Sequence, residues 1–217
     1  MSPVRKEDRN GRTVLLTPNL AKGYRVYNEE LISRDGVEYR TWDPFRSKLA
    51  AAMLKGLPDD TIREGDRVLY LGTSTGTTSS HVSDIVGEKG LLIGVEFSPR
   101  VAREFVENVA RQRKNVIPFV ADARDPSKYN ISKVDLVYCD IAQPDQTEIA
   151  MENCRAMLKA GGRLLLVVKA RSIDVLKDPE RVFQEERRRL EGAGFRVESI
   201  IELSPFEKDH ALILATR

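Results

Sequence analysis

From Glu64 onward the chain alternates short apolar runs with amphipathic stretches of helical period. This is the rhythm of βαβ units, and it predicts a mostly parallel α/β sheet covered by helices on both faces. Seven runs read as strands: Arg67 to Leu71, Leu91 to Glu96, Val116 to Ala121, Val134 to Asp140, Arg163 to Lys169, Phe195 to Leu203 and His210 to Thr216. Between them Thr77 to Val86 reads as a helix. Another opens at Ser98, with Pro99 in its first turn and Val101, Phe105 and Val109 along one face. Asp145 and Glu148 have the spacing of a capping box for a helix ending before Gly161 and Gly162. Asp178 and Pro179 open a further helix that stops near Gly194. The last two strands are joined by Ser204 to Asp209, too short for a helical crossover, so the last strand is expected to run antiparallel.

Residues 1 to about 45 have a different texture. Thr13 to Leu16, Tyr24 to Tyr27 and Val37 to Arg40 are short alternating segments broken by Pro18, Gly23 and Asp35-Gly36. They predict a small N-terminal β domain. A helix-like stretch from Phe45 to Leu54 links it to the rest, and Gly56, Pro58 and Asp59 mark a boundary, giving expected domains 1–57 and 58–217.

Composition narrows the class. At 217 residues the chain has room for one α/β domain with a small appendage. With 41% hydrophobic and 31% charged residues it is globular, and disorder is excluded. The net charge of +2 falls short of what a protein gripping nucleic acid unaided requires, so an RNA substrate would call for help from partners. Cys139 and Cys154 lie on a predicted strand and a predicted helix, which suits reduced, buried thiols; no zinc-type spacing occurs, and no metal site is expected. The segment MSPVRKEDRNGR lacks an apolar signal core and no apolar run approaches membrane length. A cytoplasmic protein without membrane contact is the expectation.

The candidate chemistry sits at strand ends. After the first main strand comes Gly72-Thr73-Ser74-Thr75-Gly76-Thr77-Thr78 and then a helix, a glycine-bearing turn where an open α/β sheet binds ligands. On the glycines alone an ordinary tight turn is an equal reading, and the G-x-x-x-G spacing suits a pyrophosphate cradle poorly. Glu96 tips the balance: ending the second strand, it can accept hydrogen bonds from both hydroxyls of a ribose. Asp122-Ala123 at the third strand end could read an adenine amino group, and Asp140 with Ile141, Ala142 and Gln143 sets carboxylate and amide groups beside the first strand. A nicotinamide-dependent, NAD(P)-binding Rossmann oxidoreductase also fits a glycine turn and Glu96, but not the glycine spacing or the antiparallel end. A non-catalytic RNA- or protein-binding scaffold of the same fold is the other alternative.

The segments YLGTSTGTTSSHVSDIVG, GVEFSPR, ADARDP, DIAQPDQT, KARSID and FEKDHA, with VEYRTWDPFRSKLAAA upstream, resemble the successive motifs of the fibrillarin family across residues 24 to 215. The resemblance implies a seven-stranded Rossmann-like methyltransferase sheet with a small N-terminal β domain, and an S-adenosylmethionine-dependent ribose 2′-O-methyltransferase acting on rRNA and tRNA. It implies that Gly72, Gly76, Thr77, Thr78, Glu96, Phe97, Asp122, Ala123, Asp140, Ile141, Ala142 and Gln143 line the cofactor site, with Phe97 stacking on adenine. Partners implied are a box C/D guide RNA pairing with the target RNA, a Nop-domain scaffold and a kink-turn-binding protein. The chain lacks the glycine- and arginine-rich tail of eukaryotic members and so resembles archaeal ones.

Methyl transfer to a ribose hydroxyl needs alignment of donor and acceptor and removal or stabilisation of a reluctant proton. Related ribose methyltransferases use a Lys-Asp-Lys-acid constellation, which Lys48, Asp140 and Lys169 match, with Lys169 the candidate for activating the hydroxyl. For the fourth position FEKDHA offers Asp209 or His210, and His210, opening the last strand, is favoured. Arg46, Arg171 and Lys208 flank these positions as candidate RNA-phosphate contacts. His81, inside the first main-domain helix, reads as structural.

Overall fold

The computed structural model describes residues 3–129 and 131–217. Two antiparallel hairpins, β1 (Arg5–Arg9) with β2 (Arg12–Pro18) and β3 (Leu31–Arg34) with β4 (Val37–Trp42), form a four-stranded sheet of order β1-β2-β4-β3. β1 and β3 were not legible as strands. Tyr24–Tyr27, expected to alternate as a strand, forms none. Its backbone is satisfied from the side: the Glu29 carboxylate accepts the amides of Val26 (2.9 Å) and Tyr27 (2.7 Å), so no partner strand is needed.

Helix α1 (Lys48–Leu54) begins three residues later than expected because Ser47 caps it, its Oγ accepting from the Ala50 amide at 3.3 Å. Then follow β5 (Arg67–Leu71), α2 (Thr77–Val86), β6 (Leu91–Glu96), α3 (Pro99–Asn108), β7 (Val116–Val120), β8 (Val134–Cys139), α4 (Gln146–Met157), β9 (Leu158–Lys169), the short α5 (Ala170–Ile173), α6 (Pro179–Gly192), β10 (Arg196–Glu202) and β11 (His210–Thr216). Strand order is β10-β11-β9-β8-β5-β6-β7, with β11 antiparallel to both neighbours. The expected seven strands are all present, within about a residue at their ends except for β9. That strand starts at Leu158, directly from α4, because Gly161 and Gly162 pair with the chain end: Gly161 donates to the Arg217 carbonyl at 2.6 Å and Arg217 to that of Gly162 at 3.1 Å. The expected capping box also fails. Asp145 makes no side-chain cap; its carboxylate is taken by Arg124 and that of Glu148 by Arg189 (2.7 Å).

Alternate strand residues feed two cores. Tyr70, Tyr138, Val167 and Leu212 pack toward α1, α2 and α3, while Leu69, Val137, Leu166 and Ile213 pack toward α4 and α6. Because β5 is flanked by β6 on one side and β8 on the other, the chain changes direction across the sheet at β5, and the crevice at the carboxyl ends of β5 and β8 is where such sheets bind ligands.

Charged residues join the two sheets. Arg40 of β4, fully buried, donates to Glu29 (2.7 Å), Asp84 (2.6 Å) and Ser80 (3.0 Å), and Arg113 reaches Asp84 at 3.4 Å. Two arginines face two carboxylates, so the cluster is neutral, as a buried ionic group must be. Beside it His81 lies between Thr17 Oγ1 (2.7 Å) and the Tyr27 hydroxyl (2.6 Å) and stacks on Trp42, the structural role expected of it. Cys139 and Cys154 are buried free thiols, and burial pushes Cys139 up to about 12. Among the described residues no helix is long and apolar enough to cross a membrane.

Candidate active site

The loop after β5 touches the loop after β8. Gly72 sits at φ +83°, and a side-chain carbon there would come within 2.8 Å of the Asp140 carbonyl oxygen. The ladder continues through the contact: Asp140 donates its amide to Leu71 (3.0 Å) and Gly72 donates to Val95 (2.9 Å). Glycine at 72 therefore lets two backbones converge where a ligand would lie.

A cleft of about 370 Å³ opens over this junction, within the usual size range of small-molecule sites. Gly72, Glu96, Phe97, Asp122, Ala123, Asp140, Ile141, Ala142 and Gln143, all expected there, line it, and so does Lys169. Glu96 is held ready, with Oε2 accepting from the Ser74 amide (3.0 Å) and Oε1 from the Ser98 amide (3.1 Å). Each oxygen keeps further lone-pair capacity toward the cleft. Phe97 is 71% exposed, an uncovered ring on the cleft wall. Ser74, Val101, Arg124 and Ile149 also line the cleft and were missed. Arg124 crosses its mouth, bonding both Asp145 oxygens (2.9 and 2.8 Å) and Gln143 Oε1 (3.0 Å). The sequence offers no signal for it beyond its place next to Asp122-Ala123.

Thr77 and Thr78 line a second, smaller cleft of about 150 Å³ with Arg46, Lys48 and Thr73; Gly72, Ser74 and Asp140 belong to both clefts. Gly76 lines neither. It takes φ +109° at the start of α2, and a side-chain carbon there would collide with Val109, so it serves packing against the end of α3.

At the seam stands Asp140. Lys169 Nζ is 2.8 Å from its Oδ1 and donates to its backbone carbonyl at 3.1 Å; Lys48 Nζ approaches Oδ2 at 3.5 Å. The 2.8 Å contact is a close ion pair whose angle leaves Oδ1 without a hydrogen bond, although that atom is buried. Lys48 owes its position to a seam between helices: Thr78 Oγ1 donates to Ser47 Oγ at 2.9 Å, fastening the first turn of α1 to that of α2. Beneath Asp140 the buried rings of Tyr70 and Tyr138 lie 4.5 Å apart at a tilt of 31°, and burial holds both phenols well above their usual range, followed by the Asp140 charge for Tyr70 and by the neighbouring Tyr70 for Tyr138.

Lys48, Asp140 and Lys169 are thus brought together, and His210 is not brought into their contact. His210 pairs with Lys169 in the β9–β11 register, but its Nδ1 lies 2.6 Å from the Lys208 carbonyl and its ring lines a separate cleft with Asp178, Glu202, Lys208 and Asp209. Arg171 is engaged by Asp209 (3.1 Å) and by the carbonyls of Val175 and Lys177. Arg46 lies over the Tyr27 ring at 5.1 Å and faces the small cleft.

The fibrillarin family model matches residues 4–217. The chain belongs to the fibrillarin family. It is 53% identical over 211 residues to a fibrillarin-like rRNA/tRNA 2′-O-methyltransferase of Saccharolobus islandicus, covering 96% of this chain and 90% of that protein. A crystal structure of Aeropyrum pernix fibrillarin with natively bound S-adenosyl-L-methionine superposes with a TM-score of 0.88 at 45% identity, over 98% and 97% of the two chains. A fibrillarin/Nop5p complex matches with a TM-score of 0.88 at 41% identity, over 100% of this chain and 98% of that one. The expected seven-stranded methyltransferase sheet with a small antiparallel N-terminal sheet is the fold these relatives share with it.

Proposed function

We propose that this protein is an RNA 2′-O-methyltransferase that transfers a methyl group from S-adenosylmethionine to ribose in rRNA and tRNA, as its fibrillarin-family relatives are named for doing. The observation that carries this reading is Asp140 at the seam of two clefts, held between two lysines. The larger cleft fits the cofactor on chemical grounds. Glu96 offers two pre-aimed oxygens to a ribose diol, the bare ring of Phe97 suits an adenine, and the Asp140 carboxylate stands at the inner end of the same cleft. Asp122, Ala123 and Ile141 to Gln143 would complete the adenine and amino-acid ends. Bound there, S-adenosylmethionine supplies an electrophilic methyl group on a sulfonium.

The chain's own residues do the rest. Thr77, Thr78, Lys48 and Arg46 line the side from which a ribose would enter. Asp140 fixes both lysine ammonium groups by charge, leaving their remaining protons free to face the acceptor oxygen. Lys169 acts on the 2′-hydroxyl in one of two ways: as the neutral amine, after giving up its own proton to solvent, it takes the hydroxyl proton, or as the ammonium it stabilises the developing oxyanion in a partly dry site. His210 enters this scheme only as a group on the strand beside Lys169. The division into residues 1–57 and 58–217 is topological in this reading, since Val4, Leu15 and Trp42 share a core with Val82 and Leu136.

We further propose a cytoplasmic box C/D-type particle in which a Nop-domain scaffold, as in the fibrillarin/Nop5p complex, a kink-turn-binding protein and a guide RNA supply the grip that a net charge of +2 does not. A methylation assay with radiolabelled cofactor, with and without guide RNA and the two partner proteins, tests the proposal. Label should appear at the 2′ position of the guide-paired nucleotide in the complete mixture. Absence of transfer there would overturn it.

A further inference from the structure

The loops that follow β7 and β8 meet over the larger cleft, although β5 and β6 stand between those strands in the sheet. Arg124 joins them. Its base is fixed: the carbonyl of Ala123 accepts from the Asn153 amide group at 2.8 Å and from the buried Tyr129 hydroxyl at 3.3 Å, and the Arg124 backbone amide donates to Asp122 Oδ1 at 2.9 Å. The segment it reaches has no such frame. Ile141 to Gln143 belong to no helix or strand, and among the described residues neither Ala142 nor Gln143 donates a backbone–backbone hydrogen bond. The guanidinium takes both oxygens of Asp145 and also Gln143 Oε1. Asp145 stands where a carboxylate would ordinarily cap α4, yet its side chain makes no cap. A missing cap weakens a helix, and local rules broken in this way collect at functional sites.

We propose that Arg124 is a positioning residue for the cofactor, a clasp that holds the segment from Ile141 to Gln143 against bound S-adenosylmethionine and slows its escape. The proposal rests on the function proposed above and adds to it how the cofactor is retained. A planar guanidinium suits the task, because its fork takes both oxygens of one carboxylate and still has an N–H for a third acceptor. The contact also sets the amide of Gln143. Arginine has no acceptor, so it meets the Oε1 and leaves the NH2 group of this cleft-lining side chain to donate to an acceptor on the ligand. The Arg124 and Asp145 side chains are each 44% exposed, so their pairing adds little to the stability of the fold and acts on the shape of the cleft.

The test uses the full-length chain loaded with tritiated S-adenosylmethionine and chased with unlabelled cofactor, alongside calorimetric titration and urea unfolding. Arg124→Ala should raise Kd about tenfold, chiefly through faster release, with a urea midpoint close to that of the wild-type chain. Arg124→Lys keeps the charge but loses the fork, and should fall near Arg124→Ala. Asp145→Ala should give the same defect, and the two alanine substitutions together should be no worse than either alone. In the assembled particle the loss should appear in KM for the cofactor, with kcat moving far less. Wild-type affinity and release rate in Arg124→Ala would overturn the clasp alone. So would an affinity loss that follows a matching fall in the urea midpoint, or one that lysine fully restores. A wild-type chain that binds no S-adenosylmethionine would instead overturn the methyltransferase reading, and the clasp with it.

Discussion

Lys169 Nζ lies 2.8 Å from Asp140 Oδ1 and donates to the carbonyl of the same residue, so one ammonium locks both the side chain and the backbone at the end of β8. Lys169→Ala should therefore reduce single-turnover methyl transfer by about 100-fold or more, the usual contribution of a group that moves or stabilises a proton in the transition state. S-adenosylmethionine affinity should change far less, and Asp140→Ala should damage both. Lys169→Arg separates two roles: arginine keeps its charge and cannot give up its proton. Activity rescued by arginine would mean electrostatic stabilisation alone. Transfer at the wild-type rate in Lys169→Ala would remove Lys169 from the chemistry.

Glu96 owes its orientation to two backbone amides, those of Ser74 and Ser98. Glu96→Ala should raise the Kd for S-adenosylmethionine about tenfold or more, since hydrogen bonds to a charged acceptor each contribute about 1.5–3 kcal/mol. Glu96→Gln, retaining one acceptor oxygen, should fall between. Calorimetric titration checks this, and unchanged affinity in Glu96→Ala would exclude its carboxylate from cofactor binding.

At Gly76 and Gly23 positive φ is shared but surroundings are not. A side-chain carbon at Gly76 runs into Val109, whereas at Gly23 nothing lies within 4 Å. Gly23→Ala should cost about 1 kcal/mol of backbone strain, and Gly76→Ala about 2–5 kcal/mol from strain and overpacking together. Urea unfolding should show that order, with Val109→Ala partly rescuing Gly76→Ala. Equal costs at the two glycines would mean that the Val109 contact relaxes freely.

What could be read in the sequence follows from periodicity. β5, β6 and β8 stand out because burial on both faces makes them continuous apolar runs, and the strand-end residues Glu96, Asp122 and Asp140 then fall into place at one end of the sheet. β1 was hidden because RKEDR is charged throughout: it is largely exposed and held by its ladder to β2 rather than by apolar burial. Tyr24–Tyr27 misled for the opposite reason, its aromatic residues serving the His81 contact and the loop rather than a pleat. Arg40, Glu29, Asp84 and Arg113 carry no signal in the sequence, since nothing local announces that four residues so far apart will neutralise each other inside the protein. Asp140 and its two lysines, separated by up to about 120 residues, came from the family resemblance; only the fold brings them into contact.

His81 gives the fold a dependence on pH whose sign can be worked out. Burial first, and then the charges of Arg40 and Arg113, depress its pKa well below the ordinary value of 6.5, so it is neutral between Thr17 and Tyr27. In the unfolded chain it protonates near 6.5. Above that pH neither state binds the proton and stability is flat as far as this group is concerned. Below it the unfolded state takes up a proton that the folded state refuses, so stability should fall by about 1.4 kcal/mol per pH unit down to the folded pKa. The window between pH 6.5 and 5 is the informative one, because the Glu29 carboxyl, on which burial acts upward but Arg40 and the backbone amides prevail, is held below its usual range and titrates at lower pH. Urea midpoints measured across that window should decline for the wild-type chain. In His81→Gln, which has no ring to protonate and can still bond Thr17 or Tyr27, overall stability should be lower and the decline should lose the histidine's share, leaving only the contribution of carboxyls such as Glu186, which burial holds above its usual range and which acts in the opposite direction. A wild-type midpoint that stays constant from pH 6.5 to 5 would show that His81 accepts its proton in the folded state, and the buried site between Trp42 and Arg40 would have to be reread as one that tolerates a cation.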